Sequence, residues 1–230
     1  MKGFFVTGTD TGVGKTVVSA LMAVMLMEKG FNVIVRKPIE TGCTAVNNTL
    51  IPKDGLFLRT ITGSTEAPDV ITPIRFVHPL APLAAATAEN SPIDITEIYK
   101  SFEGIDNSSV TIIEGVGGLL VPITKTFFVA DLIRKLNLPA ILVSSNRLGT
   151  INHTLLSLEY MKNKSITVAG IVFNNTAGEH DMSANTNIGL IRQLTGVPVI
   201  AAVPFLDAID YNTLADVAKT VDYGIIKGYV

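Results

Sequence analysis

Six short runs of apolar, largely β-branched residues punctuate the chain: "FFVTG", "VIVRKP", "VTIIEG", "AILVSS", "VAGIVFNN" and "VIAAVPF". Each is apolar almost throughout, the pattern of parallel strands covered by helices on both faces. Strands with one wet face would alternate. Between the runs lie segments that read as helices: Lys15 to Lys29, stopped by Gly30; Phe128 to Leu136, stopped before Pro139; Ile151 to Lys162; and Ile188 to Leu194, stopped by Gly196. Strand, helix, strand in repetition predicts an α/β chain, a doubly wound and mostly parallel sheet with helices on both faces. At 230 residues, with no composition shift along it, the chain is expected to form one domain over 1–230.

Polar residues break the apolar runs at their downstream ends: Thr7-Gly8, Lys37-Pro38, Glu114-Gly115, Ser144-Ser145, Asn174-Asn175 and Pro204-Phe205. In a parallel sheet all those ends lie on one rim, where ligands of such sheets gather. A glycine-rich loop, a lysine, a carboxylate and paired amides would then be neighbours.

The first of these breaks is "VTGTDTGVGKT", Val6 to Thr16. It nearly matches the phosphate-binding pattern G-x-x-x-x-G-K-[ST], except that Thr9 stands where the first glycine belongs and Gly8 comes one place early. A loop that wraps phosphates needs small residues, so that backbone N–H groups can turn inward, and a helix start behind it. Gly8, Gly12 and Gly14 meet the first need and the helix from Lys15 the second. Lys15 would reach the β- and γ-phosphates, and the Thr16 hydroxyl would be a Mg²⁺ ligand. The plain alternative is a strand-to-helix turn, but the strand before and the helix after favour the phosphate loop.

Mg²⁺ keeps several waters, so one hydroxyl and one or two carboxylates suffice to hold it beside phosphates. Glu114 ends an apolar strand and is followed by "GVGG", which leaves its side chain room. Asp54, in "PKDGLFLRT", reads equally well as an Asp-Gly turn. Lys37, pinned by Pro38, should project over the rim beside Lys15 as a second fixed cation, useful where charge gathers on a transferring phosphoryl group. Thr41 and Gly42 of "ETGC" form a small polar loop suited to a substrate.

Composition narrows the partners. With 18 Lys plus Arg against 20 Asp plus Glu, and no dense basic stretch, nucleic acid is not expected as a partner. The single cysteine, Cys43, rules out an intrachain disulfide and a multi-cysteine metal site, and fits the cytoplasm. The longest apolar helical run, Val17 to Met27, is too short to span a bilayer, and the first residues lack a signal-peptide layout, so no membrane association is expected.

The blocks "GTDTGVGKT", "KPIETG", "IEGVGG", "RLGTINHT", "VFNN" and "VPFL" together resemble the dethiobiotin synthetase family, in that family's order and over nearly the whole chain. The stretched first block also resembles the loop of this branch of P-loop NTPases. The resemblance implies ATP-dependent closure of the ureido ring of dethiobiotin from 7,8-diaminononanoate and CO₂, through a carbamate and its phosphoric anhydride, with ADP and phosphate released. It implies that Gly12, Val13, Gly14, Lys15, Thr16 and Val17 hold the triphosphate, with Gly115, Val116 and Gly117 beside them. Thr11, Lys15 and Lys37 would act on the γ-phosphate and carbamate, Thr16, Asp54 and Glu114 would hold Mg²⁺, and Thr41 would contact the substrate. Asn174 and Asn175 with Pro204, Phe205 and Leu206 would frame the adenine. A homodimer with substrate at the interface is implied, the partner contributing Gly149, Thr150, Ile151 and Asn152, whose helix-start N–H groups suit a carboxylate.

Two features stand outside the resemblance. Gly12 replaces a glutamate found in some members, and "TAGEHDMSANTNIG", which includes His180, matches no block. His153 has no carboxylate obviously paired with it, and reads as a packed or capping residue. Among rival readings, a partitioning or septum-site ATPase expects a lysine early in the loop, where Thr9 and Asp10 stand. A glutamine-dependent amidoligase needs a later cysteine nucleophile, and no cysteine follows Cys43.

Overall fold

The computed structural model describes residues 1–178 and 183–230, apart from the side chain of Asn185. Its first part runs β1 (Lys2–Gly8), α1 (Lys15–Glu28) and β2 (Val33–Arg36). A compact insertion follows, made of β3 (Ile39–Thr41), β4 (Thr44–Val46), β5 (Thr49–Ile51), α2 (Lys53–Thr62), α3 (Pro68–Ile71), β6 (Ile74–Phe76), α4 (Pro82–Ala88) and α5 (Ile95–Lys100). The chain then returns through β7 (Val110–Gly118), α6 (Val129–Leu136), β8 (Ala140–Ser145), α7 (Thr150–Asn163) and β9 (Val168–Asn174). It finishes with α8 (Ala184–Thr195), β10 (Val199–Val203), α9 (Tyr211–Ala218) and α10 (Tyr223–Ile226).

The six apolar runs are the six strands of the main sheet, in the order β10-β9-β8-β1-β7-β2. Every pairing in it is parallel. Both faces are buried, and the pleat sorts successive side chains between two apolar layers. Phe4, Val6, Ile112, Ile141, Val143 and Val172 join α1 and α9 on one side. Phe5, Ile113, Leu142, Ile171 and Phe173 meet α6 and α7 on the other. This explains why the strands read as unbroken apolar runs.

From β1 the chain goes to β2 on one side, β7 fills the gap between them, and β8 lies on the other side of β1. That reversal places the β1 loop at the switch point of the sheet, where a crevice opens beyond the strand ends. The β1–β7 register also breaks there: Val6 pairs with Glu114, but Gly8 pairs with Gly118.

The insertion differs most from the sequence expectation. Strands β3 to β6 have three residues each, too few for any periodicity to register. β4 and β5 form a hairpin turned by Asn47 and Asn48, both at positive φ, 48° and 60°. The "KDG" of Asp54 is no turn but the first turn of α2, entered from Pro52. Helix α8 starts four residues before the expected Ile188.

Candidate active site

Gly12 and Gly14 both take left-handed backbone, φ 75° and 85°, which an L side chain rarely adopts. Gly14 is the residue from which α1 starts, with no side-chain cap, so the first N–H groups of that helix face the loop. A Cβ on Gly14 would stand 1.9 Å from the Asn174 side-chain nitrogen, which donates instead to the Val13 carbonyl at 3.0 Å. Asn174 therefore braces the loop backbone. The Val13 side chain is buried in the core, so that residue offers the loop only its backbone.

Lys15 folds back so that its ammonium donates to the Asp10 carbonyl at 2.9 Å. Burial, and then the nearby Lys37 ammonium, lower its pKa to about 8. Lys37 follows the last residue of β2 and is 4% exposed. Its ammonium donates to Glu114 Oε1 at 2.5 Å and to the Gly115 carbonyl at 3.2 Å, and lies 3.3 Å from Asp54 Oδ2. Burial opposes the charge of Lys37, but the Glu114 and Asp54 carboxylates outweigh it and hold its pKa above the ordinary lysine value. Burial pushes the Glu114 carboxyl up, against the pull of Lys37.

The Thr16 hydroxyl donates to the same Glu114 Oε1 at 2.9 Å, while Glu114 Oε2 is buried without a hydrogen-bond partner. A buried oxygen left unpaired is costly unless something absent from the chain completes it. A hard divalent cation fits this donor set: one free carboxylate oxygen, a hydroxyl next to it, and the half-buried Asp54 across the gap. Among the described residues no group of three or more His, Cys, Asp or Glu is gathered as a metal site. Two carboxylates and a hydroxyl suit a metal that completes its shell with phosphates and water.

These groups open onto one cavity of about 360 Å³, lined by Thr11, Gly12, Gly14, Lys15, Thr16 and Val17 of the loop. Lys37, Thr41, Asp54, Glu114, Val116 and Gly117 close its other walls. Gly115 contributes its carbonyl and is held as glycine by packing, since a Cβ there would meet the Phe5 ring at 2.8 Å.

Other expected residues lie elsewhere. Asn175 spends its side-chain oxygen on the Ala177 N–H at 3.2 Å. Phe205 is 44% exposed, and a Cβ placed on Gly178 would lie 3.5 Å from its ring, so the chain beyond β9 and the chain beyond β10 meet there. Pro204 is exposed and Leu206 packs partly on the core. Gly149, Thr150, Ile151 and Asn152 are not on the cavity wall. The Thr150 hydroxyl is buried against Ser144 at 2.6 Å, and Thr154 joins the same hydroxyl at 2.8 Å, which pins the start of α7 to β8. His153 is exposed, and His180 lies outside the described residues. Burial, then the Glu40 carboxylate, push the Cys43 thiol up to about 11, which leaves it a poor nucleophile.

Glu40, also on the cavity wall, was not among the expected residues. Its two carboxylate oxygens accept the N–H groups of Asp54 and Gly55 at 3.0 Å each. Arg36, fully buried, holds the insertion onto β2 through paired bonds to Glu66 at 2.7 Å and one to the Ser101 carbonyl at 2.7 Å.

A glycine loop opening a helix at the switch point of a parallel sheet, with Lys15 and Thr16 beside it, defines a P-loop nucleotide-binding protein. The chain accordingly matches the family model described as "AAA domain" over residues 2–213. Its fold is similar to a ParA family ATPase from Chlorobium tepidum (TM-score 0.58, 12% identity, covering 96% of this chain and 100% of that one). It is also similar to the cell division ATPase MinD of Pyrococcus furiosus (TM-score 0.56, 15% identity, covering 100% of both). At those identities the likeness is one of fold alone.

Sequence relatives carry the assignment further. The ATP-dependent dethiobiotin synthetase of Thermodesulfovibrio yellowstonii is 40% identical over 225 residues, covering 94% of each chain. That of Bacillus licheniformis is 37% identical, covering 100% of this chain and 94% of the relative. That of Methanococcus vannielii is 42% identical over 74% of this chain and 77% of the relative. The chain belongs to the ATP-dependent dethiobiotin synthetase family.

Proposed function

We propose that the chain is an ATP-dependent cyclo-ligase that closes the ureido ring of dethiobiotin from 7,8-diaminononanoate and CO₂. One amine takes up CO₂ as a carbamate. A carbamate oxygen attacks the γ-phosphorus, and ADP leaves. The second amine attacks the carbonyl carbon of the resulting anhydride, and phosphate leaves as the ring closes. The observation that carries this reading is the convergence of Lys15, Thr16, Lys37, Asp54 and Glu114 on one cavity in a chain with these relatives.

In this reading the N–H groups at the start of α1 and the loop from Gly12 to Val17 hold the triphosphate. Lys15 exchanges the Asp10 carbonyl for phosphate oxygens. Lys37 sits where the carbamate and γ-phosphate meet, and its fixed positive charge stabilises the negative charge that gathers there in the transition state. Thr11 lines the same end of the cavity and offers its hydroxyl to the carbamate, and Thr41 to the substrate's amine end. Thr16, Glu114 and Asp54 would hold Mg²⁺, which neutralises phosphate charge when bound.

Asn175, with Pro204, Phe205 and Leu206, frames the adenine, while Asn174 keeps the phosphate loop in shape. The whole chain acts as one domain in a cytoplasmic homodimer. Leu120, Leu148 and Leu156 are 59%, 81% and 63% exposed, an apolar load that suits a subunit contact near the α7 start. Gly149 to Asn152 would then reach the partner's substrate. Among the described residues no helix is long and apolar enough to cross a membrane.

The test is incubation of the protein with ATP, Mg²⁺, bicarbonate and the diamino acid, with mass spectrometry for the cyclic urea. Product that vanishes when any one component is withheld supports the reading; well-folded protein that makes none overturns it.

A further inference from the structure

Helix α2 begins without a cap of its own. Pro52 stands at its N-cap and makes no side-chain cap bond, so the first N–H groups of the helix need an acceptor from elsewhere. Glu40 of β3 supplies it: Oε1 accepts from the Asp54 N–H and Oε2 from the Gly55 N–H, both at 3.0 Å. A buried carboxylate at a helix start also meets the positive end of the helix dipole.

Packing fixes the same helix turn as well. A Cβ on Gly55 would lie 2.0 Å from the Thr72 hydroxyl and 3.7 Å from Glu40 Oε2, so the turn is seated against Glu40 and Thr72 with no room for a side chain. Glu40 is 5% exposed, and the Asp54 side chain 44%. The half-buried Asp54 thus follows a backbone that the buried Glu40 holds. Asp54 in turn reaches Lys37 at 3.3 Å, three residues before Glu40 in the chain, so Lys37, Glu40 and Asp54 form a closed circuit around the cavity.

We infer that Glu40 is a positioning residue of the nucleotide–metal site: it fixes the start of α2 so that Asp54 points at the cation held with Thr16 and Glu114. This rests on the proposal that Asp54 is a metal ligand. Glu40 spends one oxygen on each backbone N–H and acts through Asp54, not on the cation.

A double-mutant cycle on the full chain tests it, with Mn²⁺ as the probe. Free Mn²⁺ is counted by electron paramagnetic resonance in the presence of β,γ-imido-ATP, and binding of the analogue alone is measured beside it. Glu40→Ala is expected to weaken Mn²⁺ binding about tenfold, the lower end of what loss of a supporting hydrogen-bond partner costs a metal site. It should leave affinity for the metal-free analogue within about twofold, as a local positioning role requires. In the double variant with Asp54→Ala, binding should be no weaker than in Asp54→Ala alone. Glu40→Gln, which keeps one acceptor, should fall between wild type and Asp54→Ala, and serves if the alanine variant does not fold.

Wild-type Mn²⁺ affinity in both Glu40 variants overturns the inference. So do losses that multiply in the double variant, or an equal loss of analogue affinity, since Glu40 would then act independently of Asp54 or on the fold at large. Unchanged Mn²⁺ binding in Asp54→Ala instead overturns the metal assignment on which the inference rests.

Discussion

Replacing Lys37 with alanine should damage both the chemistry and the fold, and the structure allows the two to be separated. Lys37 and Glu114 are 4% and 1% exposed and share a direct ion pair, with a further bond from Lys37 to the Gly115 carbonyl. Removing one partner of a buried pair strands the other, at a cost of about 3–5 kcal/mol. Because Glu114 also keeps the Thr16 hydroxyl as a donor, the lower end, about 3 kcal/mol, is the appropriate figure. For a chain of this size that lowers the melting temperature by roughly 6–12 °C. The double variant Lys37→Met, Glu114→Gln removes both charges and keeps most of the volume, so it should recover most of that loss. It should recover none of the turnover, since neither the cation for the γ-phosphate nor the proposed metal ligand is restored. Thermal unfolding by circular dichroism, with product formation on the same samples, reads both quantities. A Lys37→Ala variant that melts like wild type would refute the buried-pair energetics, and a double variant with near-normal turnover would refute the role of Lys37.

Three further outcomes follow from the geometry. Gly14→Ala places a Cβ on Asn174 at a left-handed position, costing about 1–2 kcal/mol in backbone strain and about 1 kcal/mol for the displaced Asn174–Val13 bond. Lower melting temperature and weaker nucleotide binding by calorimetry are expected, and wild-type values in both would contradict the loop geometry. Ser144→Ala leaves the buried Thr150 and Thr154 hydroxyls without their shared partner and should cost about 1–3 kcal/mol in urea unfolding; no measurable change would mean the trio does not anchor α7. Leu156→Asp puts a charge into the exposed apolar surface near α7, and sedimentation should show monomers in place of the proposed dimer; a dimer undisturbed by the change would move the interface elsewhere.

Much of this was legible in the chain itself, for a physical reason. Strands buried on both faces read as near-continuous apolar runs, so polar residues gathered at their downstream ends mark the rim, and Glu114 stands out on that account; Lys37 does so with Pro38 behind it, although Arg36 just before it is buried. The loop was readable despite its stretched glycine spacing because strand and helix flank it. Asp54 was ambiguous because Asp-Gly is equally a turn signal, and only the helix that follows from Pro52 settles its setting. The insertion stayed hidden because its strands are three residues long, although Asn47-Asn48 is a hairpin signal that could have been read. Glu40 and Arg36 were beyond reach for another reason. Their roles are defined by partners 14 and 30 residues away, through contacts that no local pattern encodes.

In the proposed reaction a carbamate oxygen attacks the γ-phosphorus in this cavity. Single-turnover reaction with freshly dissolved, ¹⁸O-labelled CO₂, read by the isotope shift in the ³¹P resonance of the released phosphate, tests it directly. Attack by the carbamate leaves one labelled oxygen in the phosphate for each ring closed. Phosphate that carries no label while dethiobiotin forms would contradict carbamate attack, because the phosphoryl group would then have been transferred to some other acceptor.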